Sequence, residues 1–214
     1  MTDHHYIVVE GPLGVGKTSL ARLLADRLQG RALLEETANN PFLEGFYRDP
    51  DKFRFQTQIY FLLKRYRQAT EIGQIDLFQR VVISDYLFEK DRLFARVNLD
   101  DNEFWLYEQV YQLLKRRVPA PDLVIFLQAR TEVLMERIRK RGVAYEKAIS
   151  REYLHEINQA FNDFFFHYDG APLLVVNASE IDFVNVVEDL EDLVTQVRRM
   201  DRGRRYYVPM SSAR

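Results

Sequence analysis

One stretch near the start of the chain decides the fold: Tyr6-Ile-Val-Val-Glu-Gly-Pro-Leu-Gly-Val-Gly-Lys-Thr-Ser19. A short apolar run leads into Gly11-x4-Gly16-Lys17-Thr18, and a helical pattern follows at once, which is the order of elements in a phosphate-binding P-loop. The glycines allow successive backbone N–H groups to point into one anion site, and the following helix adds the positive end of its dipole. The residues predicted to bind nucleotide phosphates are Gly11, Gly14, Val15, Gly16, Lys17, Thr18 and Ser19.

Two side chains of this loop have predicted roles of their own. Lys17 supplies a mobile positive charge for the outer phosphates, and the Thr18 hydroxyl is a candidate ligand for Mg²⁺. The alternative is a glycine turn before an ordinary helix, which the strand ahead of the loop disfavours.

Apolar runs of strand length alternate with helical patterns along the rest of the chain. The predicted strands are residues 6–10, 32–36, 81–85, 123–128 and 173–178, and the predicted helices are 17–28, 51–70, 102–117, 131–140, 151–168 and 183–199. The strand runs are continuously apolar, as in a parallel sheet that is covered on both faces. The sequence therefore predicts a doubly wound α/β fold with a five-stranded parallel sheet.

The composition is that of one globular domain. The chain has 214 residues, of which 47% are hydrophobic and 29% charged, and its net charge of −2 gives no general reason to bind nucleic acid or an anionic membrane. The absence of cysteine excludes disulfides, zinc–thiolate sites and thiol catalysis. No signal peptide and no membrane-spanning stretch is visible, so the cytoplasm is the expected location.

The domain is predicted to cover residues 1–200. Residues 201–214 lose the apolar periodicity and form a basic tail. We interpret this tail as a frayed, flexible terminus, and the alternative is a contact with a partner, a second subunit or a nucleotide.

Acidic residues end three of the predicted strands, where ligands of such sheets bind, and the first of them is Glu10 at the end of the first run. Asp85 ends the third run and is predicted to hold Mg²⁺ directly or through water, with a helix N-cap as the alternative. Glu35 and Glu36 end the second run. A carboxylate there can accept a proton from a hydroxyl that attacks a γ-phosphate, and the alternative is a solvated strand end.

Two further segments carry candidate binding residues. The run Arg137-Ile-Arg-Lys-Arg-Gly142 closes a predicted helix. It is interpreted as a lid whose arginines clamp the transferring phosphoryl group, and the alternative is a basic helix C-terminus. The aromatic-rich helix 53–67 carries Gln58, whose amide can read the edge of a nucleobase.

Several motifs in a fixed order give the chain a resemblance to the bacterial deoxyribonucleoside kinases. The stretches that carry it, from the first strand to about residue 168, begin with Glu10-Gly-Pro-Leu-Gly-Val-Gly-Lys-Thr18 and Glu35-Glu-Thr-Ala-Asn-Asn-Pro-Phe-Leu43. They continue with Phe46-Tyr-Arg-Asp-Pro50, Gln58-Ile-Tyr-Phe-Leu62, Ser84-Asp-Tyr-Leu-Phe-Glu-Lys90 and Arg137-Ile-Arg-Lys-Arg-Gly-Val-Ala-Tyr-Glu146. The resemblance implies a P-loop kinase fold with an arginine-rich lid.

The resemblance also implies roles for single residues. The general base matches Glu35, five positions before Asn40-Pro41, with Glu36 as the fallback. Ligands of the substrate 3′-hydroxyl match Tyr47 and Glu146. The base-reading glutamine matches Gln58. The lid arginines match Arg137 and Arg141, with Arg139 on a less certain face.

One motif departs from the pattern of many relatives, which have Glu/Asp-Arg-Ser at the end of the third strand. This chain has Asp85-Tyr86-Leu87, so that arginine is absent, and the Asp-Tyr version is similar to bacterial deoxyguanosine and deoxyadenosine kinases. Lys90 either replaces the missing charge or is a surface lysine. Asp91 matches a base-contacting aspartate of relatives. The departure favours a purine substrate.

Together these patterns predict an enzyme that uses ATP and Mg²⁺ to phosphorylate the 5′-hydroxyl of a deoxynucleoside, deoxyguanosine or deoxyadenosine, in nucleotide salvage. The resemblance implies a homodimer, and the aromatic stretch 104–111 suits an interface or the core. One alternative is a nucleoside monophosphate kinase of the thymidylate kinase type, with Arg48, Lys64 and Arg65 binding the acceptor phosphate. Another is a non-catalytic nucleotide-binding or nucleic-acid-binding protein.

Overall fold

The computed structural model of the chain describes residues 4–35, 39–72 and 81–208. Its strands form one parallel sheet in the order β2-β3-β1-β4-β5-β6. The strands are β1 (Tyr6–Glu10), β2 (Arg31–Leu33), β3 (Val82–Ser84), β4 (Leu123–Gln128), β5 (Leu173–Asn177) and β6 (Arg204–Tyr207). The predicted α/β class is confirmed, but the sheet has six strands instead of the predicted five.

Eight α-helices and a short 3-10 helix at Ala144–Ala148 surround this sheet in the described ranges. The helices are α1 (Lys17–Leu28), α2 (Leu43–Arg48), α3 (Pro50–Ile72), α4 (Lys90–Asn98), α5 (Asp101–Lys115), α6 (Thr131–Arg141), α7 (Arg151–Phe166) and α8 (Val187–Arg199). None of these helices is both long and apolar enough to cross a membrane.

Local sequence explains several helix ends. Asp100 caps α5, because its carboxylate accepts hydrogen bonds from the N–H groups of Asn102 and Glu103 while the Glu103 side chain binds back to Asp100. The Ser150 hydroxyl caps α7 in the same way at Tyr153. α6 ends at Gly142, which has the left-handed backbone conformation that glycine adopts most easily.

The core lies on both faces of the sheet. Along β1, Ile7 and Val9 pack on one face with α1, α6 and α8, while Tyr6 and Val8 pack on the other face with α4 and α7. A third cluster joins α3, α4 and α5 around Leu62, and it includes the buried rings of α5. Burial on both faces explains why β1 has no polar alternation.

The sixth strand, β6, lies in the segment that was predicted to be a frayed basic tail. It pairs in parallel with β5, from Leu173 opposite Arg204 to Val176 opposite Tyr207. Three of its four residues are exposed, so hydrophobic periodicity gave no signal for this edge strand. The short helices α2 and α4 were also missed. Glu36 lies outside the described residues.

Candidate active site

The P-loop joins the end of β1 to α1 and has the backbone shape that its glycines permit. Gly14 and Gly16 have φ angles of 81° and 107°, a region that side chains disfavour. A Cβ on Gly14 would lie 2.8 Å from a side-chain carbon of Ile138, so the loop packs directly against α6. Glycine therefore serves the turn at both positions, and at Gly14 it also permits the contact with the predicted lid helix.

Lys17 is folded back on its own loop. Its Nζ donates to the carbonyl oxygens of Gly11 and Pro12 at 2.7 and 2.9 Å. Burial and the nearby charge of Lys90 lower the pKa of Lys17 to about 8, although Glu10 and other carboxylates oppose this effect. An anion with several phosphates would restore the full charge of this ammonium group and offer it oxygen acceptors.

A wide cavity of about 620 Å³ opens over the P-loop. Its walls come from the loop, the end of α6 and the segment that follows β5. The residues predicted to bind phosphate that line it are Gly14, Val15, Gly16, Lys17, Thr18 and Ser19. The Phe183 ring lies under the loop, 3.1 Å from where a Cβ of Gly16 would be. We call this space the donor cavity.

The predicted lid arginines have different positions. Arg137 donates to the backbone oxygens of Val15 and Ala178 at 3.1 and 2.8 Å, which ties α6 to the P-loop and to the end of β5. Arg141 forms an ion pair with Glu146, with Nε and Oε2 3.0 Å apart. Arg137 and Arg141 both line the donor cavity, whereas Arg139 is exposed and lines neither of the two cavities described here.

Asp85 connects the P-loop to the end of β2. Its Oδ2 accepts a hydrogen bond of 2.5 Å from the Thr18 hydroxyl, and its Oδ1 accepts one of 2.7 Å from the backbone N–H of Glu35. This arrangement differs from a helix N-cap, because Asp85 binds partners on other elements. A carboxylate and a hydroxyl therefore meet beside the P-loop, and both are oxygen ligands of the kind that Mg²⁺ prefers.

Two cations hold the Glu35 carboxylate. Arg65 Nε donates to Oε1 at 2.5 Å, and Lys90 Nζ donates to Oε2 at 2.9 Å. Burial alone would raise the pKa of Glu35, but the charges of Arg65 and Lys90 outweigh it and lower that pKa to about 2. Glu35 is therefore ionised at neutral pH. Lys90 is only 4% exposed, so its interpretation as a surface lysine is wrong.

Arg65 also binds the fully buried Asp91 through its other terminal nitrogen. Burial raises the pKa of Asp91 to about 6, against the opposing effect of Arg65. Glu35, Arg65, Lys90 and Asp91 thus form one ion-pair network that joins the segment after β2 to α3 and α4. Buried charges persist when they are paired in this way.

A second, narrower cavity of about 140 Å³ lies on the other side of Lys17 and Thr18. We call it the acceptor cavity. The sequence-predicted residues that line it are Lys17, Thr18, Glu35, Tyr47, Gln58, Asp85, Lys90, Arg141 and Glu146. Its apolar and remaining polar lining comprises Leu13, Leu43, Phe46, Thr57, Phe61, Arg65, Phe94, Tyr145 and Tyr153, together with Gly14.

Polar groups mark two parts of the acceptor cavity. Gln58 is 3% exposed, and its buried Oε1 has no partner among the described residues. Tyr47 stacks on Tyr145 with ring centres 5.9 Å apart, beside the Arg141–Glu146 pair. An unpartnered buried amide oxygen is costly, so a donor group on a molecule bound in the cavity would stabilise it.

The deoxynucleoside kinase family profile matches residues 7–200. The chain belongs to the deoxynucleoside kinase family. Among its relatives, deoxyguanosine kinase of Bacillus subtilis strain 168 is 30% identical over 205 residues, which cover 94% of this chain and 99% of that protein. The deoxyadenosine/deoxycytidine kinase of the same strain is 29% identical over 209 residues, covering 92% and 95%.

Solved structures give the same result. Deoxyadenosine kinase from M. mycoides with bound dATP has a TM-score of 0.79 and 27% identity, covering 91% of this chain and all of that chain. The predictions of a kinase, of a nucleoside acceptor in salvage and of ATP as the phosphate donor are therefore confirmed at the level of the deoxynucleoside kinase family.

Within this deoxynucleoside kinase site, sequence reasoning missed the main role of Arg65, which it considered only as a ligand for an acceptor phosphate. The available signal was its spacing: Arg65 lies seven positions after Gln58, so both share one face of α3.

Glu10 was noted only as a strand end. It is fully buried, and its carboxylate accepts from the N–H groups of Gly11 and Leu87 at 2.8 and 2.7 Å.

The structure gives little support to the monophosphate kinase alternative. Arg48 lies on the surface and pairs with Glu44, and Arg65 pairs with Glu35 and Asp91. Both arginines that were considered for a second phosphate already bind carboxylates. The acceptor cavity instead combines the unpartnered amide oxygen of Gln58 with aromatic walls, which suits a nucleoside.

Proposed function

We propose that the chain transfers the γ-phosphoryl group of ATP to the 5′-hydroxyl of a purine deoxynucleoside, with Glu35 as the proton acceptor. The observation that carries the proposal is the position of Glu35. Its carboxylate lines the acceptor cavity together with Lys17, Thr18 and Asp85, and Arg65 and Lys90 hold it there. A hydroxyl bound there would face both the carboxylate and the P-loop.

The P-loop and α6 form the donor side of the site. The phosphates of ATP would take the place of the Gly11 and Pro12 carbonyls as partners of Lys17. Arg137 and Arg141 line the same cavity and would neutralise charge on the transferring group. Closing the cavity around ATP would exclude water as a competing acceptor.

The residues present fit Mg²⁺. Thr18 and Asp85 supply two oxygen ligands beside the phosphate site, and no group of three or more acidic or histidine side chains able to hold a metal occurs in the described ranges. Mg²⁺ commonly takes one or two protein ligands and completes its shell with phosphates and water. When bound, the ion would offset phosphate charge.

Glu35 stays ionised because two cations hold it, so it can accept a hydrogen bond from the 5′-hydroxyl and orient its oxygen. Phosphoryl transfer depends mainly on positioning and charge stabilisation, and the hydroxyl proton becomes acidic only as its oxygen bonds to phosphorus. A weakly basic carboxylate is therefore suited to receive the proton late in the reaction.

On the acceptor side, Gln58 would read the base edge and Tyr47 with Glu146 would bind the 3′-hydroxyl. Relatives named as deoxyguanosine and deoxyadenosine kinases support a purine, in line with the Asp85-Tyr86 motif.

We also propose a cytoplasmic homodimer. Trp105 and Leu113 on α5 are 65% and 72% exposed and provide apolar surface for a second copy.

The test is a comparison of kcat/KM for the four natural deoxynucleosides, and for their 5′-monophosphates, with ATP and Mg²⁺. The highest kcat/KM on deoxyguanosine or deoxyadenosine supports the proposal. Turnover of monophosphates without turnover of nucleosides would contradict it and favour the monophosphate kinase. Activity confined to pyrimidines would keep the reaction and refute the purine preference.

A further inference from the structure

The side chain of Glu10 joins the ends of two neighbouring strands. Its Oε1 accepts a hydrogen bond of 2.8 Å from the N–H of Gly11, and its Oε2 accepts one of 2.7 Å from the N–H of Leu87. The backbone pairing of β1 with β3 ends at Val8 opposite Ser84. Beyond that point the carboxylate of Glu10 links β1 to the chain that follows β3.

Both ends of this link lead into the site. Gly11 begins the P-loop that carries Thr18, and Leu87 follows Asp85 by two residues. The Thr18 hydroxyl donates to Asp85 at 2.5 Å. The P-loop and the segment after β3 are therefore joined at two points. Glu10 makes the first connection and the Thr18–Asp85 hydrogen bond makes the second, so a movement at one point is transmitted to the other.

The burial of Glu10 restricts how it can act. The residue is fully buried, and it is not among the described residues that line the donor cavity or the acceptor cavity. Two backbone donors and the nearby charges of Lys17 and Lys90 compensate its carboxylate. Hydrogen bonds to a charged acceptor are shorter and stronger than neutral ones. Any effect of Glu10 on the reaction therefore passes through the backbone groups that it holds.

A second carboxylate makes a similar connection at the opposite end of β1. Asp122 Oδ2 accepts from the N–H groups of His5 and Tyr6 at 2.7 and 2.8 Å. Asp122 directly precedes β4, at the edge of the sheet where the strands begin, whereas Glu10 lies where the P-loop begins. Both carboxylates bind backbone N–H groups of β1 or its neighbours, but only Glu10 is connected to the site. Asp122 is therefore a matched control.

We propose that Glu10 is a positioning residue that sets the separation between the P-loop and Asp85, and thereby keeps Thr18 and Asp85 in the geometry that binds the Mg²⁺ of the ATP complex. The inference rests on the proposed function, in which Thr18 and Asp85 are ligands of this ion. Groups that orient metal ligands typically change metal affinity or activity about 10- to 100-fold when they are lost. A residue of this kind affects the binding of MgATP, while binding of the deoxynucleoside by Gln58 and Tyr47 stays the same.

The experiment measures the Kd of MgATP and the Kd of the deoxynucleoside by calorimetry for Glu10→Gln and Asp122→Asn in the full chain. Glutamine keeps the size of Glu10 but presents an NH₂ group to one backbone N–H, so one of the two hydrogen bonds is lost. Glu10→Gln is expected to raise the Kd of MgATP, and the Mg²⁺ concentration for half-maximal turnover, about tenfold or more. Its Kd for the deoxynucleoside should stay within about twofold, and Asp122→Asn should leave both Kd values unchanged.

Metal-free ATP and hydrogen exchange separate this role from a general loosening of the fold. With EDTA in place of Mg²⁺, Glu10→Gln and the unmodified chain should have Kd values for ATP within about twofold of each other, because the Thr18–Asp85 geometry serves the ion. Exchange of the Leu87 amide should be faster in Glu10→Gln, which reports the loss of its hydrogen bond. Faster exchange with an unchanged Kd of MgATP would refute the proposal. An equal rise in the Kd of metal-free ATP or of the deoxynucleoside would also refute it.

A double variant tests whether Glu10 acts through Asp85. Asp85→Asn weakens the metal site, so adding Glu10→Gln to Asp85→Asn should raise the Kd of MgATP by less than about twofold. A further tenfold rise in the double variant would contradict the proposal, because Glu10 would then act by another route, such as the charge of Lys17.

If Glu10→Gln does not fold, Glu10→Asp provides a second test. Aspartate keeps the charge but is one methylene shorter, so it should not hold both N–H groups at once, and the Kd of MgATP is expected to rise in the same way. An unchanged Kd in that variant would overturn the inference. The proposed function fails separately. An unmodified chain that binds MgATP but phosphorylates no nucleoside refutes the function, whereas an active chain whose affinity for MgATP does not depend on Glu10 refutes only the inference.

Discussion

The donor cavity and the acceptor cavity share Lys17 and Thr18 but are built differently. The donor cavity, about 620 Å³, has most of its predicted phosphate-binding residues on one continuous stretch of chain, the P-loop and the start of α1. The acceptor cavity, about 140 Å³, is assembled from the P-loop, the segments that follow β2 and β3, the helices α1, α2, α3, α4, α6 and α7, and the 3-10 helix. Local backbone shape defines the first, and side chains distant in sequence define the second. Substitutions in the donor cavity and in the acceptor cavity should therefore have separable effects on ATP and on the deoxynucleoside.

The largest effect is expected on the donor side. Lys17→Met removes the ammonium group that the outer phosphates would bind, so kcat/KM for ATP should fall about 100-fold or more. The Kd of the deoxynucleoside alone should change little, because Glu35 and Gln58 remain. Steady-state kinetics and calorimetric titration measure the two values. Lys115→Met, at the exposed end of α5, is the control. An equal loss of nucleoside affinity in Lys17→Met would contradict the separation of the two cavities.

The next largest effect is expected at Gln58. Gln58→Leu removes an amide whose buried oxygen has no partner, so kcat/KM for the preferred nucleoside should fall about 10- to 100-fold. Thermal unfolding should show an unchanged or higher Tm, because a buried unsatisfied polar group is replaced by an apolar one. The KM for ATP should stay constant. A variant that keeps its kcat/KM would show that Gln58 does not bind the base.

A smaller effect is expected at Tyr47. Tyr47→Phe removes one hydroxyl beside Glu146 and should lower kcat/KM about tenfold for a deoxynucleoside that carries a 3′-hydroxyl. For a 2′,3′-dideoxynucleoside the variant and the unmodified chain should be nearly equal. Tyr206→Phe, on the exposed edge strand, is the control. Equal losses on both substrates would mean that Tyr47 acts by packing.

The smallest catalytic effect is expected from removing β6. A chain that ends at Met200 loses the strand that pairs with β5 and the hydrogen bond from Tyr207 to Asp192. Its Tm should fall, because the edge of β5 becomes exposed, but kcat/KM should stay within about twofold. Differential scanning calorimetry and kinetics measure both. Loss of catalysis at a temperature where the chain remains folded would assign the segment a role in the site.

The two cavities also differ in how far the sequence predicted them. The strand–loop–helix order of the P-loop predicted β1, α1 and the donor groups, because contiguous residues supply them. The Glu35–Arg65–Asp91 network escaped prediction because its members lie on three separate elements. The sequence does not distinguish Arg65 from other arginines on helices. Only the folded structure shows that it lies between two carboxylates. β6 was missed because an exposed edge strand has little apolar signal.

The measurement that tests the account most directly compares Glu35→Gln with the unmodified chain, in turnover and in binding. We expect kcat to fall about 10²- to 10⁴-fold, because the amide cannot take the hydroxyl proton. The Kd values for ATP and for the deoxynucleoside should change much less. A variant that retains nearly full kcat, with intact binding, would contradict the assignment of Glu35 as the proton acceptor.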